Sequence, residues 1–357
     1  MPGGAAVAEM RDLALAAARE AGFDLCGIAG VAPSARLAAF APWVESGQAG
    51  EMHYLARRGA GGRYLREAVR EAWPWAQAVI CAAAVYNAPA PRSLDIAHDP
   101  ARGWISRYAW GDDYHDCLRR RLEQVAQRLR QQAPEEQFHL TVDTAPLIER
   151  AAAEQAGLGW QAKNTCLIHP RLGSYFFLGS IVTSLPLAAD DPLPDRCGSC
   201  RRCIEACPTQ ALTPYAMDAS RCIAYLNLEL RGPVPEDLRA SMGNNLIGCD
   251  ICQDVCPWNR RAPVTDAPEF QPRPGFVAPL LLELAALTED AYRERFRHSA
   301  AKRAKFSGLR RSLALAMGNS GNPAYRATLQ RWQADADAVL AEHAAWALAQ
   351  IEQGATA

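Results

Sequence analysis

The sequence lacks several patterns that would place it in a common class of protein. Residues 1–30 contain no basic segment leading into an apolar core, and no run of about 18 uncharged apolar residues occurs. We therefore expect neither a secretory signal nor a membrane-spanning helix, and we predict a cytoplasmic protein. The charges almost cancel, with 38 basic and 39 acidic residues, which excludes a uniformly basic nucleic-acid coat.

Two nucleotide-binding motifs are also missing. No G-x-G-x-x-G follows a predicted strand, which weakens a dinucleotide-binding interpretation. No G-x-x-x-x-G-K-[ST] loop occurs, which argues against nucleotide hydrolysis. The sequence therefore offers no motif that favours a nucleotide cofactor.

Cysteine is abundant, with 12 residues in the chain. Two runs, C-G-S-C-R-R-C-I-E-A-C-P and C-D-I-C-Q-D-V-C-P, flank a lone Cys222, and the first has the bacterial-ferredoxin spacing. In that pattern the last cysteine of each run ligates the other cluster. We predict two [4Fe–4S] clusters, one on Cys197, Cys200, Cys203 and Cys256 and the other on Cys207, Cys222, Cys249 and Cys252. Zinc knuckles and disulfides are the alternatives, but zinc favours paired cysteines with histidines and disulfides favour exported chains.

Apolar periodicity and proline-rich connectors divide the chain into three predicted units within an α+β fold class. Residues 1–188 alternate helices and strands and predict an α/β or α+β domain. Residues 189–262 predict a ferredoxin-like domain held mainly by its two clusters. Residues 263–357 are predicted to be helical, and the stripe of Leu309, Leu313, Ala316 and Met317 suits either HEAT-like repeats or a plain three-helix cap.

Asp143 is the best candidate for a catalytic acid. It follows a predicted strand over residues 138–142, and strand ends in α/β layers are where ligands bind. Taken alone, however, the residues favour a simpler interpretation, in which Asp143 is the N-cap of the next helix. Tyr114 and His115, in S-R-Y-A-W-G-D-D-Y-H, are candidate proton donors or simple packing residues.

The segment from Arg293 to Arg311 carries eight basic residues against one acid, Glu294. Such density in a nearly neutral chain predicts a phosphate-binding face, and the alternative is a solvated helix face. Two adjacent clusters form a one-electron relay, which predicts a second redox cofactor in residues 1–188.

With these motifs in view, the chain resembles the epoxyqueuosine reductase family nearly end to end. The family catalyses the last step of queuosine synthesis in tRNA. The residues that carry the resemblance are the eight cluster cysteines together with S-R-Y-A-W-G-D-D-Y-H, V-D-T-A-P-L-I-E-R, A-G-L-G-W-Q-A-K-N-T, G-S-Y-F-F-L-G, R-C-I-A-Y-L-N-L-E-L, G-C-D-I-C-Q-D-V-C-P-W-N and H-A-A-W-A-L.

The resemblance implies the missing cofactor, a base-off cobalamin bound by the N-terminal domain beside a cluster. It aligns Asp143 with the family's acid and Tyr114 with its active-site tyrosine. The implied cofactor contacts are Arg57, Asp143, Lys163, Asn164, Phe177 and Glu229. Cys166 is a departure next to the lysine–asparagine motif. The basic C-terminal segment would bind the anticodon region of tRNA, in a monomer fed by an external low-potential electron donor.

The implied reaction converts an epoxide to an alkene with loss of water. Cob(I)alamin would supply the reducing power, two clusters would supply single electrons, and Asp143 would donate a proton. That role predicts a raised pKa for Asp143 in a mostly apolar pocket. Two alternatives remain: a corrinoid reductive dehalogenase of a small molecule, and a non-enzymatic electron carrier.

Overall fold

The computed structural model describes residues 4–354, and its centre is a four-stranded sheet. The strands, in chain order, are β1 (Leu25–Gly30), β2 (Ala78–Val85), β3 (Trp104–Ile105), β4 (Phe138–Thr141), β5 (Trp160–Gln161), β6 (Leu167–Ile168), β7 (Phe176–Thr183), β8 (Leu212–Thr213), β9 (Ala216–Met217) and β10 (Asn245–Ile247). The sheet has the order β1-β2-β7-β4, and every neighbouring pair is antiparallel. The predicted α+β class therefore holds as a mixture of helices and strands, but the sheet is not the parallel layer on which the strand-end argument for Asp143 relied.

The α-helices surround this sheet and fill the C-terminal part. They are α1 (Gly4–Glu20), α2 (Ala35–Ala38), α3 (Phe40–Glu45), α4 (Val69–Ala72), α5 (Tyr114–Gln132), α6 (Glu149–Gln155), α7 (Arg202–Glu205), α8 (Ile223–Leu228), α9 (Glu236–Arg239), α10 (Ile251–Asp254), α11 (Leu281–Ala285), α12 (Glu289–Arg295), α13 (Lys305–Asn319), α14 (Arg326–Gln333) and α15 (Ala338–Gly354). None of the described helices is both long enough and apolar enough to span a membrane.

Strand β2 is buried along its whole length because helices cover both faces of the sheet. Ile80 and Ala82 pack against α1 and α5, whereas Val79 and Cys81 pack toward α6. Successive side chains of a strand point to opposite faces of the sheet, so the residues of β2 alternate between two separate hydrophobic cores.

Helix α5 has one apolar face, which its sequence shows at helical spacing. Leu118, Leu122, Val125 and Leu129 are all buried against the sheet. The helix begins at Tyr114 because the carboxylate of Asp113 caps it, accepting a hydrogen bond from the backbone N–H of His115. The cap places Tyr114 and His115 in the first turn, at the edge of the sheet.

Two buried carboxylates attach the cluster segment to the N-terminal part. Asp250 accepts hydrogen bonds from the indole N–H of Trp104, the hydroxyl of Ser106 and the backbone N–H of Arg107. Asp254 accepts from the backbone and hydroxyl of Ser93 and from the hydroxyl of Tyr175. A buried carboxylate with several donors is strongly held, so these links fix the cysteine turns against the sheet domain.

The hydrophobic cores do not follow the three units inferred from sequence. One core contains Trp104 and Trp110 from the first unit, Leu246 from the second and Leu313 from the third. Strand β3 pairs in parallel with β10, so backbone hydrogen bonds also cross the predicted boundary. The predicted stripe on α13 is buried, as expected.

Candidate active site and cluster-binding segment

The first predicted cysteine group comes together in the structure. Burial and then the nearby charges of Cys197 and Cys200 raise the pKa of Cys203. Burial raises the pKa of the Cys256 thiol to about 11, and nearby charges that include those of Cys203 and Cys197 contribute to the rise. Thiols from two distant runs of the sequence therefore lie near enough to influence one another.

The second predicted group is assembled in the same way. Burial raises the pKa of Cys249, and the charges of Cys222 and Cys207 raise it further. Cys252 lies near both Cys249 and Cys222. Across the part of the chain that the structure describes, no three metal-binding side chains are placed to hold a single ion.

A ninth thiol, Cys166, lies beside the second group. It approaches Cys252 closely enough for the two thiols to interact, and its backbone N–H donates to the side-chain oxygen of Asn164 at 3.2 Å. The side-chain amide of Asn164 donates in turn to the carbonyl of Cys252 at 3.3 Å. The Lys163 ammonium donates to the carbonyls of Gly198 and Cys200 at 2.6 and 3.1 Å. The lysine–asparagine motif thus holds both cysteine loops.

Asp143 lies in a turn after β4 and does not cap a helix. Its backbone has φ 59°, and α6 begins only at Glu149, with Ile148 in the cap position. The N-cap interpretation is therefore wrong. The carboxylate is 57 % exposed, while its backbone N–H donates to Glu149 at 2.9 Å. Arg66 supports this turn by donating to the carbonyl of Ala145 at 3.1 Å.

The pKa of Asp143 is lowered, which corrects the expectation of a raised value. A hydrogen bond from His115 is the main cause, and it outweighs partial burial; the charges of His115 and Arg303 and a hydrogen bond from Tyr114 add to it. The neighbouring carboxyl of Glu149 has the opposite behaviour, because burial and then the charge of Asp143 raise its pKa to about 8. The sequence could not indicate the lowered pKa of Asp143, because His115 and Arg303 come from other segments.

His115 connects Asp143 to a second carboxylate. Its Nε2 lies 3.3 Å from Oδ2 of Asp143, and its Nδ1 lies 2.7 Å from Oδ1 of Asp113. The other oxygen of Asp113 lies 2.7 Å from the ammonium of Lys302, contributed by the C-terminal region. Lys302, Asp113, His115 and Asp143 therefore form one continuous chain of contacts.

Aromatic rings connect this site to the second cysteine group. Tyr114 stacks on Phe177 at 4.4 Å and meets Tyr108 edge-on at 6.3 Å. Tyr108 also packs against the turn before Cys249, where a side chain on Gly248 would come within 3.0 Å of its ring. Only glycine permits this close approach, and its φ of 68° suits glycine as well. Burial raises the pKa of Tyr114 well above its usual value, so its hydroxyl keeps its proton.

The remaining candidates lie around an ion pair. Both oxygens of Glu229 accept from the guanidinium of Arg303, at 2.5 and 2.8 Å. The ring of Tyr54 lies beneath that guanidinium at 5.9 Å and is 44 % exposed. Arg57 is exposed on the same segment as Tyr54. Tyr54, Arg57 and Arg303 form the open edge of the site, and the less exposed Glu229 lies behind it.

The segment from Arg293 to Arg311 is not the uniform basic face that its composition predicts. Arg311 is buried and donates to three backbone carbonyls, of residues 226, 230 and 232. Burial lowers its pKa to about 10. Acidic side chains pair with most of the others, including Glu229 with Arg303 and Asp335 with Arg310. The composition was misleading because most of the acids that balance these bases lie outside the segment, some of them distant in sequence.

Sequence reasoning missed four contributors to the site. They are Tyr54, Arg66, Asp113 and Lys302. For Asp113 a signal was present, because an aspartate directly before a helical pattern indicates an N-cap. Lys302 was included only as part of the basic segment. Tyr54 and Arg66 have no local pattern that marks them.

A sheet domain that carries an acid, a histidine and a tyrosine against eight grouped cysteines defines a class of iron–sulfur redox enzyme. Residues 196–259 match the protein family described as a 4Fe-4S double cluster binding domain. Residues 66–144 match the family described as epoxyqueuosine reductase QueG, DUF1730. The first match confirms a double [4Fe–4S] segment.

Curated relatives identify the family. The chain is 40% identical to the epoxyqueuosine reductase of Xanthomonas campestris pv. campestris, over 97% of this chain and 96% of the relative. It is 38% identical to the Escherichia coli protein of the same name, over 93% and 86%. The chain belongs to the epoxyqueuosine reductase family.

Solved structures agree with that assignment. An epoxyqueuosine reductase in complex with an epoxyqueuosine-modified tRNA-Tyr stem loop matches with a TM-score of 0.85 and 29% identity, over 97% of this chain and 91% of the other. The Bacillus subtilis enzyme, with its catalytic loop swung out of the active site, matches with the same score, identity and coverage. The dehalogenase and electron-carrier alternatives are not favoured.

Proposed function

We propose that this chain reduces epoxyqueuosine in tRNA to queuosine, converting the epoxide to an alkene with loss of water. The observation that carries the proposal is the position of Tyr108, which packs on the turn of the second cysteine group and on Tyr114 beside Asp143. Acid chemistry and electron supply thus meet at one place. The reaction consumes two electrons and two protons, and the activity of the relatives supports it.

The eight cysteines provide the electron supply. Their two groups of four thiols suit two [4Fe–4S] clusters, with Cys207 and Cys256 each crossing to the other run. When bound, the clusters transfer electrons singly. Lys163 and Asn164 hold the loops of both groups. We assign them a role in keeping the two groups adjacent, in addition to the cofactor contact that the resemblance implies.

Cobalamin is the second cofactor that we propose. The open edge of the site fits a large polar ligand, because Arg57 is exposed there and Tyr54 presents an exposed ring beside Asp143. Phe177 and Glu229 would lie behind this edge, since Phe177 is 7% exposed and Glu229 is paired with Arg303. When bound, cobalamin supplies a strongly reducing centre that can act on the epoxide.

The residues of the chain supply position and protons. Asp143 donates a proton to the departing oxygen, because an alkoxide is a poor leaving group. Tyr114, held by its stack on Phe177 and protonated at neutral pH, orients the substrate or supports the acid. Burial among aromatic rings limits water on that side of the site.

The remaining features of the proposal concern partners and location. The helical region after residue 263, which we propose to be HEAT-like, brings Arg303 and Lys302 to the site and would meet the anticodon region of tRNA. An external low-potential donor would reduce the clusters. We expect a monomer in the cytoplasm.

An anaerobic preparation tests the proposal directly. We expect about eight irons per chain and bound corrin, and conversion of an epoxyqueuosine-containing tRNA stem loop to the alkene form, followed by mass spectrometry of the released nucleoside. Reduced, fully loaded protein that leaves the epoxide intact would exclude the proposed function. An iron content near zero with free thiols would exclude the cluster assignment.

A further inference from the structure

Both ring nitrogens of His115 face carboxylates. Nδ1 is 2.7 Å from Asp113 and Nε2 is 3.3 Å from Asp143. An ionised carboxylate can only accept a hydrogen bond, whereas a neutral imidazole has a proton on just one nitrogen. The ring satisfies both partners only when it is doubly protonated, as an imidazolium.

Asp113, the carboxylate on the Nδ1 side of His115, is held in place. The side chain of Asp113 is only 4 % exposed, and it accepts from the backbone N–H of His115 at 3.2 Å and from Lys302. The ring of His115 also stacks on Tyr114 at 4.1 Å. Asp113 therefore cannot turn away, and the edge of the ring that can exchange a proton is the one toward Asp143. The side chain of His115 is 30 % exposed, so water can reprotonate it.

The charges around His115 and its two carboxylates favour the imidazolium form. Burial opposes a charge on His115, but hydrogen bonds to Asp113 and Asp143 outweigh it and raise its pKa to about 9. Hydrogen bonds from His115 and Lys302 hold the pKa of Asp113 well below its usual value, against the effect of burial. Further titratable or charged groups also lie near Asp143: Tyr54, Arg66, Tyr108, Tyr114, Glu149 and Arg303. In the resting site the proton therefore lies on His115 and not on Asp143.

We propose that His115 is the proton reservoir of this site and recharges Asp143 during each turnover. The inference rests on the proposed function. The Nε2–H bond of the imidazolium breaks and an O–H bond forms on Asp143; Asp143 then gives that proton to the oxygen leaving carbon. The electrons come from the external donor through the clusters. Two such transfers deliver the two protons of the reaction, and His115, left neutral after each one, is reprotonated from solvent.

The charge state of His115 can be measured without turnover. Diethylpyrocarbonate modifies neutral imidazole, so its rate of reaction at His115 in the anaerobic holoenzyme, followed by peptide mass spectrometry, reports the fraction deprotonated. We expect the rate to rise with a midpoint near pH 9, and the exposed His98 serves as an internal reference. Asp113→Asn should lower the midpoint, because Asn keeps the helix cap but removes the charge. A parental midpoint near the ordinary value of about 6.5 would overturn the proposal.

The relay itself is tested with His115→Gln, which retains a hydrogen-bond donor but cannot carry the proton. The single-turnover rate on the tRNA epoxide should be flat in the parent up to about pH 8 and fall near pH 9. In the variant it should already decline across the neutral range, with a loss of about a hundredfold at pH 8, the scale of general acid catalysis. His98→Gln should match the parent.

Two outcomes would contradict the relay. If His115→Gln has the parental rate and pH profile with full iron and corrin content, the ring only packs against Tyr114. If the parent itself does not reduce the epoxide, the proposed function fails and the relay fails with it. The midpoint of the diethylpyrocarbonate reaction still decides, independently, whether His115 is an imidazolium.

Discussion

At the scale of single residues, the site is governed by the pairing of opposite charges. His115 has a raised pKa, to about 9, so its favourable contribution to folding is complete below about pH 6.5 and is lost as pH rises through about 9. Asp143 has a lowered pKa, so its contribution is present above about pH 4 and is lost as pH falls through the folded-state value. The pair therefore contributes its full stabilisation between about pH 4 and about pH 6.5, and this contribution declines as the pH rises toward 9.

Asp143→Asn tests the acid directly. Asn has nearly the same shape but no proton to donate, so turnover should fall on the order of a hundredfold or more. Iron content, corrin content and reduction of the cofactors should remain parental, as measured by metal analysis and absorption spectra. Tyr114→Phe should lose less, since the ring and its stack on Phe177 remain. Near-parental turnover of the Asn variant would remove Asp143 from the mechanism.

At the scale of elements, contacts between segments distant in sequence complete the site. The turn before α13 contributes Lys302 and Arg303, and the end of α8 contributes Glu229. The Glu229 side chain is 16% exposed, against 44% for Arg303. Loss of the arginine would therefore leave a largely buried carboxylate without its partner.

Arg303→Gln should lower the free energy of unfolding by about 1–3 kcal/mol, because a desolvated charge loses its partner. The charge of Arg303 also helps to lower the pKa of Asp143, so that pKa should rise in the variant. The double variant Arg303→Gln with Glu229→Gln should recover much of the stability. Denaturant unfolding of the parent, the two single variants and the double variant measures the coupling. Additive effects of the two changes would mean that the pair contributes nothing.

Elements whose determinants are local could be predicted from sequence. The cysteine spacing indicated the double-cluster segment, and the heptad-like spacing of Leu118, Leu122, Val125 and Leu129 indicated α5. Long-range pairing could not be predicted. The antiparallel order of the central sheet, the acids that neutralise Arg303 and Arg310, and the bond from His115 that lowers the pKa of Asp143 all depend on tertiary contacts.

At the scale of the whole molecule, the cluster segment is built into the fold. Asp250 lies between two predicted ligands, Cys249 and Cys252, and binds Trp104 in the core that also contains the C-terminal helices. Residues from all three predicted units share that core. Loss of a ligand in one cysteine group should therefore lower the stability of the fold outside that group as well.

Cys222→Ala tests both the ligand assignment and this coupling. We expect about four irons per chain instead of about eight, with the spectrum of one cluster retained. Thermal unfolding should also shift to lower temperature, because metal binding contributes to folding free energy. Cys26→Ala, at a thiol outside both groups, is the matched control and should keep the full iron content. An unchanged cluster spectrum in Cys222→Ala would contradict the assignment.

The pairing of β3 with β10 determines when the loop that carries Tyr108 and Tyr114 can be fixed in place as the chain is synthesised. Ile105 pairs with Ile247, which the ribosome adds about 140 residues later. At ~5–20 residues per second this delay is roughly seven to thirty seconds. During that time the loop with Tyr108 and Tyr114 has no partner strand, and the cysteines emerge in the same late stretch. Closure of the loop therefore coincides with the arrival of the cluster ligands, and a nascent chain has no finished site before it can receive iron.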